Sequence, residues 1–204
     1  MTQKKPRIEF FYDVGSPWTY LAFHKIEGLA AEAGAELVWK PILVGGVFNA
    51  VNPDVYEARA HPNARRLRYH AKDLQDWARF YGLAISWPEV FPVNSVKAMR
   101  GALVAQDAGR LPAWSRACFE AYWGEGQDLS QEAVLREVAM RAGLDADALL
   151  ARIQAPELKV RLRANTEELV ARGGYGSPTL FVNDEDMYFG NDRLPLVREA
   201  LRRV

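Results

Sequence analysis

The serine in Phe11-Tyr12-Asp13-Val14-Gly15-Ser16-Pro17 is the group in this sequence best placed for chemistry. A run of aromatic and β-branched residues stops there at turn formers, and an amphipathic helical pattern starts at Pro17. A hydroxyl at that junction sits among the unpaired N–H groups of a helix N-terminus, at the positive end of its dipole, where an anion is stabilised. Ser16 is equally an ordinary N-cap with a first-turn proline behind it, and capping and anion binding are compatible. Gly176-Ser177-Pro178-Thr179 is the second group, because a proline at the start of an apolar strand removes a ladder donor and marks a bend or a cis bond. By residue type alone, a trans proline leading into an ordinary strand is preferred. Third is Gly190-Asn191-Asp192-Arg193, between the last strand and the last helix. There Asn191 or Asp192 reads as a helix cap; alternatively, free N–H groups bind a carboxylate and Asp192 an ammonium.

Other polar groups offer less. His24, His61 and His70 share no metal-ligand spacing, and no metal site is expected. Asp184-Glu185-Asp186 lacks the length and glycine of a calcium loop and reads as a hairpin turn. Cys118 lies in an apolar helical pattern with Ala117, Phe119 and Tyr122, which favours a buried, inert thiol. Arg65, Arg66, Arg68 and Lys72 make a basic helical stretch, a solvated face or an approach to an anionic ligand. Phosphate-loop, nucleophile-elbow and dinucleotide-binding patterns are missing.

These groups need elements to hold them. Arg7 to Tyr12 predicts a strand, Pro17 to Gly34 a helix and Glu36 to Trp39 a second strand, a strand-helix-strand unit. From about His61 to Arg172 the pattern is helical, with helices expected at 62–82, 95–109, 112–123, 130–142, 145–154 and 157–172. Gly82, Gly109, Gly143 and Gly173 act as stops, Pro112 and Pro156 as first-turn residues, and Ser95 and Ser130 as caps. Strands return at Thr179 to Val182 and Met187 to Phe189, and a helix over 193–203 closes the chain. The two ends form one mixed sheet only if the helical block is an insertion.

With 204 residues, 49% of them hydrophobic and 25% charged, the chain can bury a real core. Its 26 Lys plus Arg balance 26 Asp plus Glu, so no global cationic field favours nucleic acid or a membrane surface. A single cysteine excludes an internal disulfide, a Cys-x-x-Cys pair and multi-cysteine metal sites, and fits a reducing cytoplasm. The polar stretch from Met1 to Arg7 has no signal core behind it, and no apolar run reaches membrane-spanning length.

Five dispersed segments taken together resemble the 2-hydroxychromene-2-carboxylate isomerases, relatives of the kappa-class glutathione transferases and DsbA-type oxidoreductases. They are Phe11 to Ala22, Asp73-Leu74-Gln75-Asp76-Trp77-Ala78, Pro92-Val93-Asn94-Ser95, Tyr122-Trp123-Gly124-Glu125-Gly126, and Gly176 to Thr179 with Phe189 to Leu194. The resemblance implies an α/β, thioredoxin-like fold with a large all-helical domain inserted, residues 1–45 plus 174–204 enclosing 46–173. It implies that Ser16 contacts the sulfur of glutathione, that Ser177 and a cis Pro178 hold its cysteinyl unit, and that Gly190, Asn191 and Asp192 hold its γ-glutamyl end. Asn52 and Arg66 match a family asparagine and lysine, and with Tyr69, Trp18 and Asn94 would bind substrate, the pocket wall including some of Phe48, Trp87 and Phe91. The implied partners are glutathione and a small aromatic carboxylate, the implied assembly a cytoplasmic homodimer. The implied reaction interconverts 2-hydroxychromene-2-carboxylate and trans-o-hydroxybenzylidenepyruvate in aromatic hydrocarbon catabolism. A kappa-type transferase conjugating glutathione to a small electrophile and a non-enzymatic interaction domain on the same scaffold are the alternatives.

Overall fold

A computed structural model describes residues 5–203; residues 1–4 and 204, the outer ends of the two expected terminal segments, lie outside them. Strands β1 (Arg7–Tyr12), β2 (Glu36–Pro41), β3 (Thr179–Val182) and β4 (Asp186–Phe189) form one sheet in the order β2-β1-β3-β4. β1 runs parallel to β2, through the crossover helix α1 (Pro17–Glu32), and antiparallel to β3, which is antiparallel to β4. Between β2 and β3 the elements are all helical: α2 (Val44–Val51), α3 (Asp54–Ala60), α4 (Ala64–Tyr81), α5 (Val96–Asp107), α6 (Leu111–Phe119), α7 (Glu132–Arg141), α8 (Ala146–Arg152) and α9 (Pro156–Ala171). Helix α10 (Leu194–Leu201) follows β4. This is the thioredoxin-like α/β arrangement with inserted helices that the resemblance implied.

β1 is buried on both faces, which explains why its residues are apolar on both apart from Arg7 and the buried Glu9, which Arg172 pairs at 2.7 Å. Ile8, Phe10 and Tyr12 point to the main core, where the rings of Tyr12, Phe23 and Phe119 pack together and the Tyr12 hydroxyl meets Ser115 Oγ at 2.6 Å. Phe11 points to the other face and packs with Ile42, Val47, Leu169 and Phe181 under α2 and α9. The main core runs without a break from the sheet into α5, α6 and α7. α9, last in the helical block by sequence, covers the sheet's second face together with α2.

Most helix ends fall within two residues of the sequence reading, and Gly82 ends α4 in the left-handed conformation expected of a stop. Four differences matter. Helices α2 and α3 were not expected, because Gly45, Gly46 and Pro53 dilute the helical signal. The helix expected to run to 123 stops at Phe119, and a π-helical turn over Glu120–Gly124 buries Tyr122 and Trp123. That turn matters for the site, since Trp123 Nε1 donates to the Val14 carbonyl at 2.8 Å, two residues before Ser16. β2 continues to Pro41, which an edge strand tolerates. Finally, neither expected serine caps its helix: Gln131 precedes α7, and Ser95 turns its hydroxyl to Asp13 instead.

Candidate active site

β1 delivers the chain to a short turn, and Ser16 closes it as the N-cap of α1. Its Oγ accepts the Thr19 N–H at 3.2 Å and donates to the Ser177 carbonyl at 3.0 Å. Capping and a polar site are therefore combined in one hydroxyl. The Ser177–Pro178 bond is cis, which corrects the trans reading preferred from residue type and agrees with the resemblance. Ahead of β3, the cis bond presents the Ser177 carbonyl to α1 rather than to a ladder partner. The Ser177 hydroxyl accepts the Asp13 N–H at 3.0 Å and shares a hydrogen bond with Thr19 Oγ1 at 2.8 Å. The Gly190 N–H donates to the Pro178 carbonyl at 3.1 Å, so Ser16, Ser177, Pro178 and Gly190 come from three distant segments into one contiguous patch.

The segment after β4 corrects the cap reading. Asn191 begins a 3-10 turn, Arg193 occupies the N-cap of α10, and no side chain bonds there. Asn191 is only 2% exposed, and its amide nitrogen, faced by the Tyr81 hydroxyl, makes no hydrogen bond of normal geometry among the described residues. The Asp192 side chain is 44% exposed, beside the Arg193 guanidinium at 3.3 Å.

Asp13 is a site residue that sequence reading passed over. Its buried carboxylate accepts the Gly15 N–H at 2.9 Å, the Val44 N–H at 2.8 Å and the Ser95 hydroxyl at 3.0 Å. One side chain thus ties the turn before Ser16 to the N-terminus of α2 and the start of α5. Burial pushes its pKa up, and the three donors pull it back. An Asp between an apolar strand and a Gly-Ser-Pro turn was the available signal, but it reads simply as a turn former.

The expected substrate-binding residues scatter. Asn94 lines a cavity of about 250 Å³, together with Gly15, Phe48, Tyr56 and Arg59. Trp18 is half-buried against the main core. Asn52 ends α2 and donates to the Tyr175 carbonyl at 3.2 Å, just ahead of the Gly176–Pro178 loop. Arg66 and Tyr69 are exposed on α4, and Arg66 lines a separate groove with His61 and His70. Phe91 is half-buried and Trp87 exposed, their rings 4.8 Å apart. A larger apolar cavity of about 410 Å³ lies between α2 and α9 and includes none of the Ser16, Ser177 or Gly190 segments.

Of the histidines, His24 contacts Arg116 at 3.1 Å, and burial, then the charges of Arg116 and Lys25, push its pKa down to about 4. Among the described residues no group of His, Cys, Asp and Glu is arranged to hold a metal ion, and no helix is long and apolar enough to cross a membrane. Cys118 is fully buried in α6, and burial pushes its thiol pKa up, away from nucleophilic character. Cys118→Ser is expected to retain activity and to lose some stability through a buried hydroxyl. Activity and melting curves check this, and loss of turnover without loss of fold would contradict it.

A family model described as a DSBA-like thioredoxin domain matches residues 7–202. The chain is 30% identical to the 2-hydroxychromene-2-carboxylate isomerase of Pseudomonas putida, over 97% of this chain and 95% of that protein. It is 25% identical to glutathione S-transferase kappa 1 of Caenorhabditis elegans, over 98% of this chain and 92% of that protein. A solved structure of a 2-hydroxychromene-2-carboxylate isomerase superposes with a TM-score of 0.82 at 27% identity, covering 97% of this chain and 95% of that one.

Proposed function

We infer the function from one premise: the chain belongs to the DSBA-like thioredoxin domain family and, within it, to the 2-hydroxychromene-2-carboxylate isomerases. We propose that it is a glutathione-dependent isomerase interconverting 2-hydroxychromene-2-carboxylate and trans-o-hydroxybenzylidenepyruvate. The observation that carries this reading is Ser16: a hydroxyl at the start of α1, facing the Ser177–Pro178 cis bond. Ser16 and Thr19 are hydroxyl residues and the single cysteine is buried in α6, so the site holds no protein thiol for dithiol exchange. A sulfur nucleophile has to come from a bound thiol.

The residues fit glutathione. The amide nitrogen of Asn191 is buried, faced by the Tyr81 hydroxyl without a hydrogen bond of normal geometry, and can take an acceptor such as a ligand carboxylate. Asp192 beside it offers a carboxylate to an ammonium, and Ser16 a hydroxyl to a sulfur. When bound there, glutathione would supply a thiolate able to turn a conjugated double bond into a rotatable single bond and then leave unchanged.

The chain's own part is electrostatic. The Ser16 oxygen already accepts the Thr19 N–H, which orients its proton; that proton, now on the Ser177 carbonyl, can swing to a sulfur. Pro17 has no N–H and Ser16 takes that of Thr19, so the first turn of α1 adds the Trp18 N–H and the helix dipole. Both favour the anion over the thiol and lower its pKa. Trp123 on the Val14 carbonyl and Asp13 on the Gly15 N–H fix the turn, so the donor is aimed before the ligand arrives.

Asp192→Asn is expected to raise the half-saturation concentration for glutathione by roughly tenfold and to leave turnover at saturation nearly unchanged. Its charge would pair with the γ-glutamyl ammonium, far from the reacting sulfur, and a half-exposed pair is worth less than a buried one. Since Asp192 caps no helix, the melting curve should not move. Glutathione titrations of both proteins decide, and an unchanged affinity removes Asp192 from the site.

A kappa-type transferase is the second reading, favoured by the likeness to the kappa proteins. One assay separates the two: the protein is incubated with 2-hydroxychromene-2-carboxylate with and without glutathione, and thiol is counted afterwards. The isomerase reading expects turnover only with glutathione and full recovery of it. Turnover that consumes glutathione, or none, overturns it.

A further inference from the structure

The cavity beside Gly15 holds a cation that none of the roles above uses. The guanidinium of Arg59, in α3, lies 5.6 Å from the ring centre of Phe48 on α2 and 5.4 Å from that of Phe91, ahead of α5. Arg59 thus lies between Phe48, on the lining of the cavity, and Phe91, next to the lining residue Pro92, with Asn94 and Tyr56 on the same lining. Among the described residues no carboxylate pairs with it, although Glu57 lies on the same short helix and pairs with His61. Stacking against aromatic rings occupies the flat faces of a guanidinium and leaves its N–H edges open. Those edges match a carboxylate two bonds at a time, which a lysine cannot do.

From this geometry we propose that Arg59 is a specificity-determining residue, which binds the carboxylate of a flat, conjugated acceptor whose rings lie against Phe48 and Tyr56 in this cavity. The inference rests on the reading of the cavity as the acceptor side of the proposed active site. The cavity volume of about 250 Å³ suits a molecule of one or two rings. It falls just below the roughly 300–1,000 Å³ common for drug-sized ligands. Asn94, with its side-chain oxygen on the Val96 N–H at 3.2 Å, keeps its amide nitrogen for the same ligand. The arrangement departs from the family match, which points to Asn52 and Arg66. In this chain Asn52 is engaged with Tyr175, and Arg66 lines a different groove.

The test uses trans-cinnamate as a probe acid and cinnamamide as its uncharged counterpart, titrated calorimetrically into the full-length protein with glutathione present. The wild type should prefer the acid. Arg59→Gln should weaken cinnamate binding on the order of tenfold, the discount for an exposed charge included. Cinnamamide binding should stay within about twofold, and Arg59→Lys should fall between. Arg59 is exposed on a helix with no buried residue, so both variants should fold and melt as the wild type does. Equal weakening of acid and amide, no change in either, or no binding of cinnamate by the wild type overturns the proposal. So does weakened glutathione binding in Arg59→Gln, which would make the tripeptide the ligand of this arginine. If cinnamate binds through Arg59 but isomerisation is not found, the proposed reaction fails and the anion site stands. If isomerisation is found while carboxylate preference ignores Arg59, the anion site alone fails.

Discussion

Replacing Ser16 with alanine should lower glutathione-dependent turnover by roughly 10- to 1,000-fold while the protein stays folded, the range seen when one preorganised donor to a developing anion is removed. The variant loses the hydroxyl that now donates to the Ser177 carbonyl, and with it the proposed donor to the sulfur. The dipole of α1 and its first-turn N–H groups remain, which keeps the loss from being total. The Thr19 N–H also loses its acceptor, at a cost of about 1 kcal/mol for a missing N-cap, so a drop of a few degrees in Tm is expected. Turnover and the ultraviolet absorbance of bound thiolate should fall together. Unchanged turnover with unchanged thiolate signal would remove Ser16 from the chemistry.

The second large effect is structural and belongs to Asp13. Asp13→Ala leaves the Gly15 N–H, the Val44 N–H and the Ser95 hydroxyl without their acceptor in a buried place. Each orphaned donor costs about 1–3 kcal/mol, and the loss for three coupled ones should be on the order of 3–5 kcal/mol. Activity should fall with it, because the same carboxylate holds the turn that aims Ser16. The pH dependence has a definite sign. Burial raises the native pKa of Asp13 above its unfolded value. The stability linked to its protonation is fully present below the unfolded value and is lost as pH rises through the native value. Asp13→Asn, with no proton to lose, should lack that slope. Urea unfolding of the three proteins across the acid range is the check, and parallel stability curves with equal midpoints would contradict this role.

Much of the architecture was legible because the local signals agreed with one another. The aromatic and β-branched run of β1, the Ser16-Pro17 start of α1 and the Gly82 stop of α4 each followed from residue type. What was not legible depends on contacts distant in sequence. Helix α2 exists although Gly45 and Gly46 weaken it: Val47 is buried under the sheet, and Asp13, on another element, accepts its first N–H. Helix α9 reads like its neighbours, yet it packs Leu169 against the sheet's second face beside Phe11 and Phe181, a placement that periodicity does not encode. In the site, Ser16 and the Ser177–Pro178 segment stood out through their turn chemistry. Asp13 passed as a turn former, since two of its three partners are 31 and 82 residues away. Arg59 carried no signal at all, because what singles it out is two rings from other segments.

The central claim, that the start of α1 at Ser16 holds a glutathione thiolate, is tested most directly by titrating the ultraviolet thiolate absorbance of glutathione bound to the wild-type protein against pH. A bound thiol with an apparent pKa well below that of free glutathione is the predicted result, with the depression reduced in Ser16→Ala. Glutathione that does not bind, or that binds and titrates as the free thiol does, would contradict the account.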